Sequence, residues 1–388
     1  MNALNSIIAA TVTLAHADML KALTNTCKVI EKKNTVPALS GVLIRESLGG
    51  LEFIGTDLDM TNNTFVHCEA PRGFATLIPA HTALNILTKA KAADEVTLTL
   101  TEKGCRLSVG KLNVNLDQAA DLVDFPAKPL ESVADKLATT NHSFVITSDL
   151  LRTAIAKTEF AISTEETRYY LNGLFVHTVE SEGETVMRFV TTDGHRLSKF
   201  EIPCPAGAGG MPDIIVPSKA VKELHRLLKR KDCPESVLVS TCDVGASFLI
   251  GEDELVQTKA IDGTFPDYTR VIPTGNDEAA SISPSVLADA LKQVTVISSE
   301  RGRAVKFEFG EDSLKLTSND PDTGSADMTV RCASAISNVI GLNYRYILDL
   351  VGMIEGHMQL KMNGSNNPII VNDMADDRVT FVQMPMRI

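Results

Sequence analysis

Two local patterns, each written three times, constrain this chain more than any other feature of its sequence. An alternating strand passes through a polar cap into an amphipathic helix in ATVTLAHADMLKALTNTCKVI from Ala10, in HSFVITSDLLRTAIAKTEFAIS from His142 and in AASISPSVLADALKQVTVIS from Ala279. A second strand and helix follow each of these, in TLIPAHTALNILTKAK from Thr76, IIVPSKAVKELHRLLKR from Ile214 and NVIGLNYRYILDLVGMI from Asn338. Apolar residues recur at helical spacing, as at Leu20, Leu23, Cys27 and Ile30 or at Val286, Leu287, Ala290, Leu291 and Val294. The segments between alternate with period two, as in Gly41–Arg45, Gly173–His177 and Ala304–Phe309. A repeat this long is a whole domain, so the expected fold class is α+β: three similar domains, each two helices packed on antiparallel sheet. The expected domains are 1–141, 142–277 and 278–388, with polar seams at Ala127–Asn141 and Pro273–Ala280. CPAGAGGMP from Cys204 lies inside a repeat and reads as a surface loop.

Composition narrows the function classes. Hydrophobic content of 44% and charge of 22% belong to a soluble globular protein, and 388 residues leave room for several cores. The seven cysteines are scattered, odd in number and never spaced C-x-x-C, which argues against a disulfide framework and a zinc site. The stretch from Ser6 to Ala17 is mildly apolar and ends in A-x-A, but it lacks a preceding basic residue and is broken by threonines, so a strand entering a helix is the better reading. No run reaches the ~18 apolar residues of a membrane span. The expectation is a cytoplasmic protein with no membrane contact, metal or cofactor.

TTDGHRL, Thr191–Leu197, places an acid, a glycine and a histidine within three positions. A carboxylate beside an imidazole suits a hydrolase built on Asp193 and His195, but no serine or cysteine elbow accompanies them. Asp-Gly is also a strong hairpin signal, because glycine accepts positive φ and the Asp side chain bonds its own backbone. FIGTDLDMT around Asp57 and LTSNDPDTG around Asn319 occupy equivalent places between the two helices of their repeats, which favours a repeated turn.

A net charge of −12 predicts a protein that avoids nucleic acid only if the charge is evenly spread. The helix after Pro217 carries Lys219, Lys222, Arg226, Lys229, Arg230 and Lys231 against one acid, Glu223, with Val221, Leu224, Leu227 and Leu228 as its buried stripe. Lys21, Lys28, Lys32, Lys33, Lys89, Lys91, Arg152 and Lys157 repeat this more weakly on corresponding helices. Like charges one turn apart repel unless something anionic lies opposite, so these faces read either as solvated surface or as a phosphate-backbone surface. With no Trp and five Tyr, nonspecific backbone contact fits better than base stacking.

TRYYLNGLF (Thr167–Phe175), TTDGHRL, IIVPSKAVKELHRLL (Ile214–Leu228), DGTFPDYTRVIP (Asp262–Pro273) and the terminal FVQMPMRI (Phe381–Ile388) resemble, in order and spacing, the bacterial beta sliding clamps, the processivity subunits of DNA polymerase III. TVPALSGVLI and GTDLDM stand in the expected places earlier in the chain. The resemblance implies a non-catalytic protein whose two subunits close head to tail into a ring of six domains around double-stranded DNA. Its implied partners are the polymerase catalytic subunit, the clamp loader and other proteins carrying a short clamp-binding motif. The competing reading is a clamp-like interaction module that is never loaded on DNA.

Carried over position by position, the peptide pocket falls on Leu171, Thr192, Gly194, His195, Arg196, Leu197, Pro266, Arg270, Val271, Asn343, Tyr346, Val382, Met384, Pro385, Met386 and Arg387. Leu, Val, Met and Pro would floor a cleft for a partner's leucine or phenylalanine, with His, Arg and Asn fixing its backbone. DNA positions fall on Lys33, Arg168, Tyr169 and Tyr170, to which the basic helix adds Lys222, Arg226 and Lys229; relatives commonly carry an amide where this chain has Glu165. The subunit seam maps to Val114 and Leu116 on one side and Val296 and Ile297 on the other, and a nearby bulky position reads Gly302. Asn366 and Pro368 are atypical for the end of a pocket wall.

Overall fold

A computed structural model of the chain describes residues 10–90, 94–126, 131–139, 142–298 and 303–388. Its first repeat opens with β1 (Thr11–Ala15), which turns Val12 and Leu14 inward and runs directly into α1 (His16–Thr26), where Met19, Ala22, Leu23 and Thr26 form the buried face. There follow β2 (Gly41–Ser47), β3 (Gly50–Thr56), β4 (Met60–His67), β5 (Ala75–Pro79), α2 (Ala80–Lys89), β6 (Glu95–Thr101), β7 (Gly104–Val109) and β8 (Leu112–Asp117). After α3 (Glu131–Thr139) the order recurs as β9 (Ser143–Thr147), α4 (Ser148–Thr158), β10 (Gly173–Ser181), β11 (Glu184–Thr192), β12 (Arg196–Pro203), β13 (Ile214–Pro217), α5 (Ser218–Leu228), β14 (Ser236–Cys242), β15 (Gly245–Ile250) and β16 (Glu254–Lys259). The third round is β17 (Glu278–Ile282), α6 (Pro284–Val294), β18 (Ala304–Gly310), β19 (Ser313–Asp320), β20 (Gly324–Arg331), the short β21 (Ala333–Ser334), β22 (Val339–Asn343), α7 (Tyr344–Val351), β23 (Met358–Met362), β24 (Ile369–Asp373) and β25 (Asp376–Gln383).

Strand pairing repeats with the sequence. One set of four strands is ordered β1-β6-β7-β8, β9-β14-β15-β16 and β17-β23-β24-β25; the other is β5-β2-β3-β4, β13-β10-β11-β12 and β22-β18-β19-β20. The architecture is therefore α+β, built from three similar repeats. Two of the sets join across repeats, β4 to β16 and β12 to β25, producing an eight-stranded and a nine-stranded sheet. By packing, the chain forms two compact units, one holding the residues up to Ser148 with Arg226–Ala260, the other Asp149–His225 with Ile261–Ile388. The central repeat is thus shared between them. In the first unit, the buried faces of α1 and α2 converge on a core of Leu23, Ile44, Phe53, Ile78, Leu87 and Leu98.

Three expectations need correction. The Ala127–Asn141 seam carries α3, which buries Val133 against Cys242; residues 127–130 and 140–141 lie outside the described set. The polar caps are sparse: α1, α2 and α6 begin at Ala15, Pro79 and Ser283 without a side-chain bond, whereas Asn343 caps α7 by accepting from the Arg345 amide. The third turn is organised by Asp320, one residue later than Asn319, through bonds from the Asp322 and Thr323 amides. Asn319 itself is exposed on β19.

Candidate functional site

The TTDGHRL turn joins β11 to β12, with Thr192 opposite Leu197. Thr192 Oγ1 accepts from the Gly194 amide (3.1 Å) and donates to the Arg196 carbonyl (2.7 Å), while Asp193 Oδ1 accepts from the amides of His195 (2.8 Å) and Arg196 (3.0 Å). Gly194 sits at φ +87°, which a side chain would strain. The second Asp193 oxygen accepts from Arg196 Nε at 3.0 Å. Asp193 therefore spends its carboxylate on the turn and on Arg196, and the His195 ring stands on the exposed rim. This is a scaffold, not a base activating a nucleophile.

Arg196 carries the turn into the body of the unit. Its Nη1 donates to Asp349 (2.5 Å), its Nη2 to the Phe160 carbonyl (2.6 Å), and its guanidinium lies 4.2 Å from the Tyr346 ring centroid. Beside it opens a cavity of about 270 Å³. Nine expected pocket residues line this cavity: Leu171, Thr192, Gly194, Arg196, Leu197, Pro266, Val271, Val382 and Met384. Leu171, Leu197 and Val382 also belong to the buried cluster with Val190, Ile215, Phe265 and Tyr268, so the floor is continuous with the core.

The other expected pocket residues sit around this lining. Tyr346 supports Arg196, Asn343 is buried as the cap of α7 and accepts Gln383 Nε2 on its carbonyl (3.2 Å), and Arg270 is exposed on the short helical turn Tyr268–Val271. Pro385, Met386 and Arg387 form the terminal tail, pinned where the Met384 amide donates to the His195 carbonyl (2.9 Å) and the Met386 amide to the Gly341 carbonyl (2.8 Å). Asn366 and Pro368 lie outside the lining; the Pro368 carbonyl accepts from Asn276 Nδ2.

Four lining residues were not expected there: Arg168, Tyr170, Asp267 and Tyr268. Asp267 caps its own turn by accepting from the Thr269 amide. Tyr268 Oη meets His177 Nε2 (3.0 Å) and Arg188 Nη1 (3.3 Å), and burial pushes the tyrosine hydroxyl up and the His177 imidazole down, which favours the neutral form of both. The aromatic spacing in FPDY could have signalled a wall, since Phe265 stacks flat on Phe175 at 4.6 Å.

The basic helix α5 buries Val221, Leu224, Leu227 and Leu228 as its spacing implies, and Lys222 and Lys229 are exposed. The argument from mutual repulsion is corrected, because acids from distant sequence lie against several of these cations. Buried Glu254 takes both Nη atoms of Arg230 (2.8 and 2.5 Å) and Lys21 (3.0 Å), and Arg226 Nη2 donates to Asn25 Oδ1 (2.9 Å). Lys157 is not on a solvent face: it is 5% exposed, donates to the Met353 carbonyl and reaches Glu355 and Asp373. Lys91 lies outside the described residues, and Lys33 is exposed after α1. Tyr169 is half exposed beside Tyr170, while Arg168 faces the cavity and forms two bonds to Glu165, Nε at 2.8 Å and Nη2 at 2.7 Å.

At the expected seam, Val114 is half-buried on β8 and Leu116, 6% exposed, belongs to the core of its own repeat; Leu112 shows more surface than either. Val296 is 81% exposed and Ile297 half-buried, its carbonyl accepting from Thr323 Oγ1. Gly302 lies outside the described residues. Among the described residues no cluster of His, Cys, Asp or Glu suits a metal ion.

Comparison with known proteins adds the context of this geometry. Family models of the DNA polymerase III beta subunit match in sequence order: its N-terminal domain over 10–128, its central domain over 145–267 and its C-terminal domain over 269–387. The curated Beta sliding clamp of Caulobacter vibrioides is 37% identical over 382 residues, covering 97% of this chain and 99% of the relative. The crystal structure of a DnaN sliding clamp from Bartonella birtlesii, bound to griselimycin, superposes with a TM-score of 0.90 at 33% identity, covering 98% of this chain and 100% of the other. A Caulobacter crescentus beta sliding clamp gives 0.90 at 35% identity, covering 98% and 99%.

Proposed function

The chain belongs to the DNA polymerase III beta-subunit family, and from that premise we propose that two copies close around duplex DNA and hold replication proteins through the cavity beside TTDGHRL. Its function is that of a DNA sliding clamp, a non-catalytic processivity factor of the polymerase III holoenzyme. Clamps of this family bind DNA and polymerase and form dimers. The observation that carries the reading is the match of all three repeats, in order, to clamps over 97% of the chain. The deciding experiment assembles the protein with a loader on nicked circular DNA: retention through gel filtration, then release on linearisation, is expected. Equal retention before and after linearisation, or none on the circle, would refute topological loading and favour an interaction module.

Edge chemistry supports the dimer. Each internal junction pairs the last strand of one repeat with the last of the middle three in the preceding repeat, leaving β8 and β20 as sheet edges without such a partner among the described strands. Open edges are templates for pairing, and β8 of one copy against β20 of another repeats the internal rule. Two such joins close a ring. Exposed Val296 and Leu112, with Val114 and Ile297, would supply its apolar contacts, and Leu116 would act from within by supporting β8.

For the DNA surface we assign the exposed Lys33, Lys222, Lys229 and Tyr169, together with the half-buried Arg226. Replacing Lys222, Arg226 and Lys229 by Ala should flatten the salt dependence of duplex contact by about 0.9 per lost phosphate contact. An unchanged slope would place α5 away from DNA. We assign the cavity to a linear peptide of the polymerase catalytic subunit, the loader and other clamp-motif proteins, because its floor is apolar and its rim polar. The domain limits 1–141, 142–277 and 278–388 and a cytoplasmic location are part of the same proposal. Among the described residues no helix is long and apolar enough to cross a membrane.

A further inference from the structure

We infer that Glu165 sets the chemical preference of the peptide pocket: it holds Arg168 in the wall as a neutralised pair, so partners are selected by apolar side chains and gain nothing from an acidic one. The inference rests on the reading of the cavity as a peptide site.

Arg196 and Arg168 are the two cations in the lining. Arg196 is already committed through all three nitrogens, to Asp193, Asp349 and the Phe160 carbonyl. Arg168 is held by two bonds to Glu165, with Asp193 adding a second negative charge nearby. Its Nη1 packs over Gly194, where an added Cβ would collide with it. Gly194 thus takes a φ that favours glycine and leaves the space this guanidinium occupies, which a side chain there would shift.

Glu165 is well placed to hold it. Its amide donates to Ser163 Oγ (3.1 Å), and its carbonyl accepts from Asn172 Nδ2 (3.1 Å) and the Arg168 amide (3.3 Å). The backbone that presents the carboxylate is therefore tied on both sides. The hydrogen bond from Arg168 holds the Glu165 carboxyl below the usual range, so the pair stays charged at neutral pH. An amide at this position has no charge to offset the guanidinium. Arg168 would then offer its donors to a carboxylate arriving on the peptide, since charge-assisted bonds from arginine are favoured over neutral ones.

Glu165 is in this sense a positioning residue, acting through Arg168. The test uses two clamp-binding peptides with a leucine–phenylalanine anchor, identical except for Asp or Asn next to the anchor. Both are titrated by fluorescence anisotropy against the full-length dimer carrying no change, Glu165→Gln, Arg168→Gln or both changes. The unchanged protein should bind the two peptides within about twofold of each other, and Glu165→Gln should prefer the Asp peptide by about fivefold, less as salt rises. The preference should vanish in the double variant, an outcome that a merely structural effect of Glu165 would not produce. An unchanged ratio in Glu165→Gln, a preference that survives in the double variant, or a strong Asp preference in the unchanged protein would each overturn the inference. Failure of the unchanged protein to bind either peptide would instead remove the peptide reading of the cavity, and this inference with it.

Discussion

The same strand junction occurs twice within this chain, and the two instances differ in chemistry rather than in frame. In one, β4 meets β16 with Thr61 opposite Gln257; in the other, β12 meets β25 with Leu197 opposite Val382. Matching turns lead into both: Asp57 Oδ1 accepts from the Asp59 and Met60 amides as Asp193 Oδ1 accepts from those of His195 and Arg196. Beneath them lie matching apolar sets, Leu43, Ile54, Leu77 and Phe125 in the first and Phe175, Val190, Ile215 and Phe265 in the second. The layer above differs. Main-chain bonds join the equivalent residues in both, Lys259 to Asp59 and Met384 to His195, but only the first junction adds a side-chain bond, from Lys259 Nζ to Asp59 Oδ1 at 2.9 Å. A polar pair and an ion pair finish one junction, while apolar side chains floor a cavity in the other. At the second junction the cavity is thus floored by residues that differ from their counterparts on a repeated frame.

The largest test of this comparison concerns the third junction, proposed between copies. If it follows the same rule, changing Val296 and Ile297 to Glu should yield a folded monomer, because two charges would lose their hydration in a newly buried contact. Sedimentation of an unchanged dimer would show that the rule stops inside the chain. Next in size, deleting Met384 through Ile388 removes a cavity wall and should weaken peptide binding by ~2 to 4 kcal/mol, more than His195→Ala on the rim. Wild-type affinity after the deletion would mean that the turn and the tail do not build one site.

Converting the second junction into the first is a sharper test. Leu197→Thr with Val382→Gln should cost about 2 to 4 kcal/mol of stability and about tenfold in peptide affinity, read by denaturant melts and titration, since both side chains are 2% exposed. A variant that keeps its affinity would show that the floor does not select the peptide. Smaller effects separate the turns. Gly194→Ala should destabilise by about 1 to 2 kcal/mol through its positive φ, whereas Leu58, already at φ +76°, should gain up to about 1 kcal/mol when changed to Gly. Equal responses would deny the difference in strain.

The smallest effect is one of pH. Burial pushes the Glu201 carboxyl up, but its bonds to Arg188 and Lys199 outweigh this and leave it below the ordinary glutamate value. A carboxyl lowered on folding contributes stability above its unfolded pKa and loses it as pH falls through the folded one. Glu201→Gln should therefore flatten acid unfolding below the usual carboxylate range by under ~1 kcal/mol, with little change in slope at neutral pH.

Much of this was legible because it is local. Alternation and helical spacing identify β1, α1, α4 and α6, and Asp-Gly identifies the turn at Asp193, since each depends on a few consecutive residues. The turn at Asp57 was harder: Leu58 stands where Gly194 does, and nothing in the residue type signals a positive φ. Helix α3 was hidden in a polar seam because its main burial, Val133 on Cys242, depends on a strand more than a hundred residues away. Arg168 was expected on DNA; whether a long guanidinium faces outward or lines a cavity depends on Glu165 and on the space left by Gly194 together.

By itself, the sequence determined the threefold α+β repeat, the turns within it and, through the family resemblance, nine of the residues that line the cavity beside TTDGHRL. Only the tertiary structure decided which strand edges meet, how the central repeat is shared between two compact units and which cations remain exposed. The physical reason is range. Periodicity and turn chemistry act over a few residues, whereas the pairing of β4 with β16, the hold of Glu254 on Lys21 and Arg230, and the placement of Val382 over Leu197 are made by residues that meet only once the chain is folded.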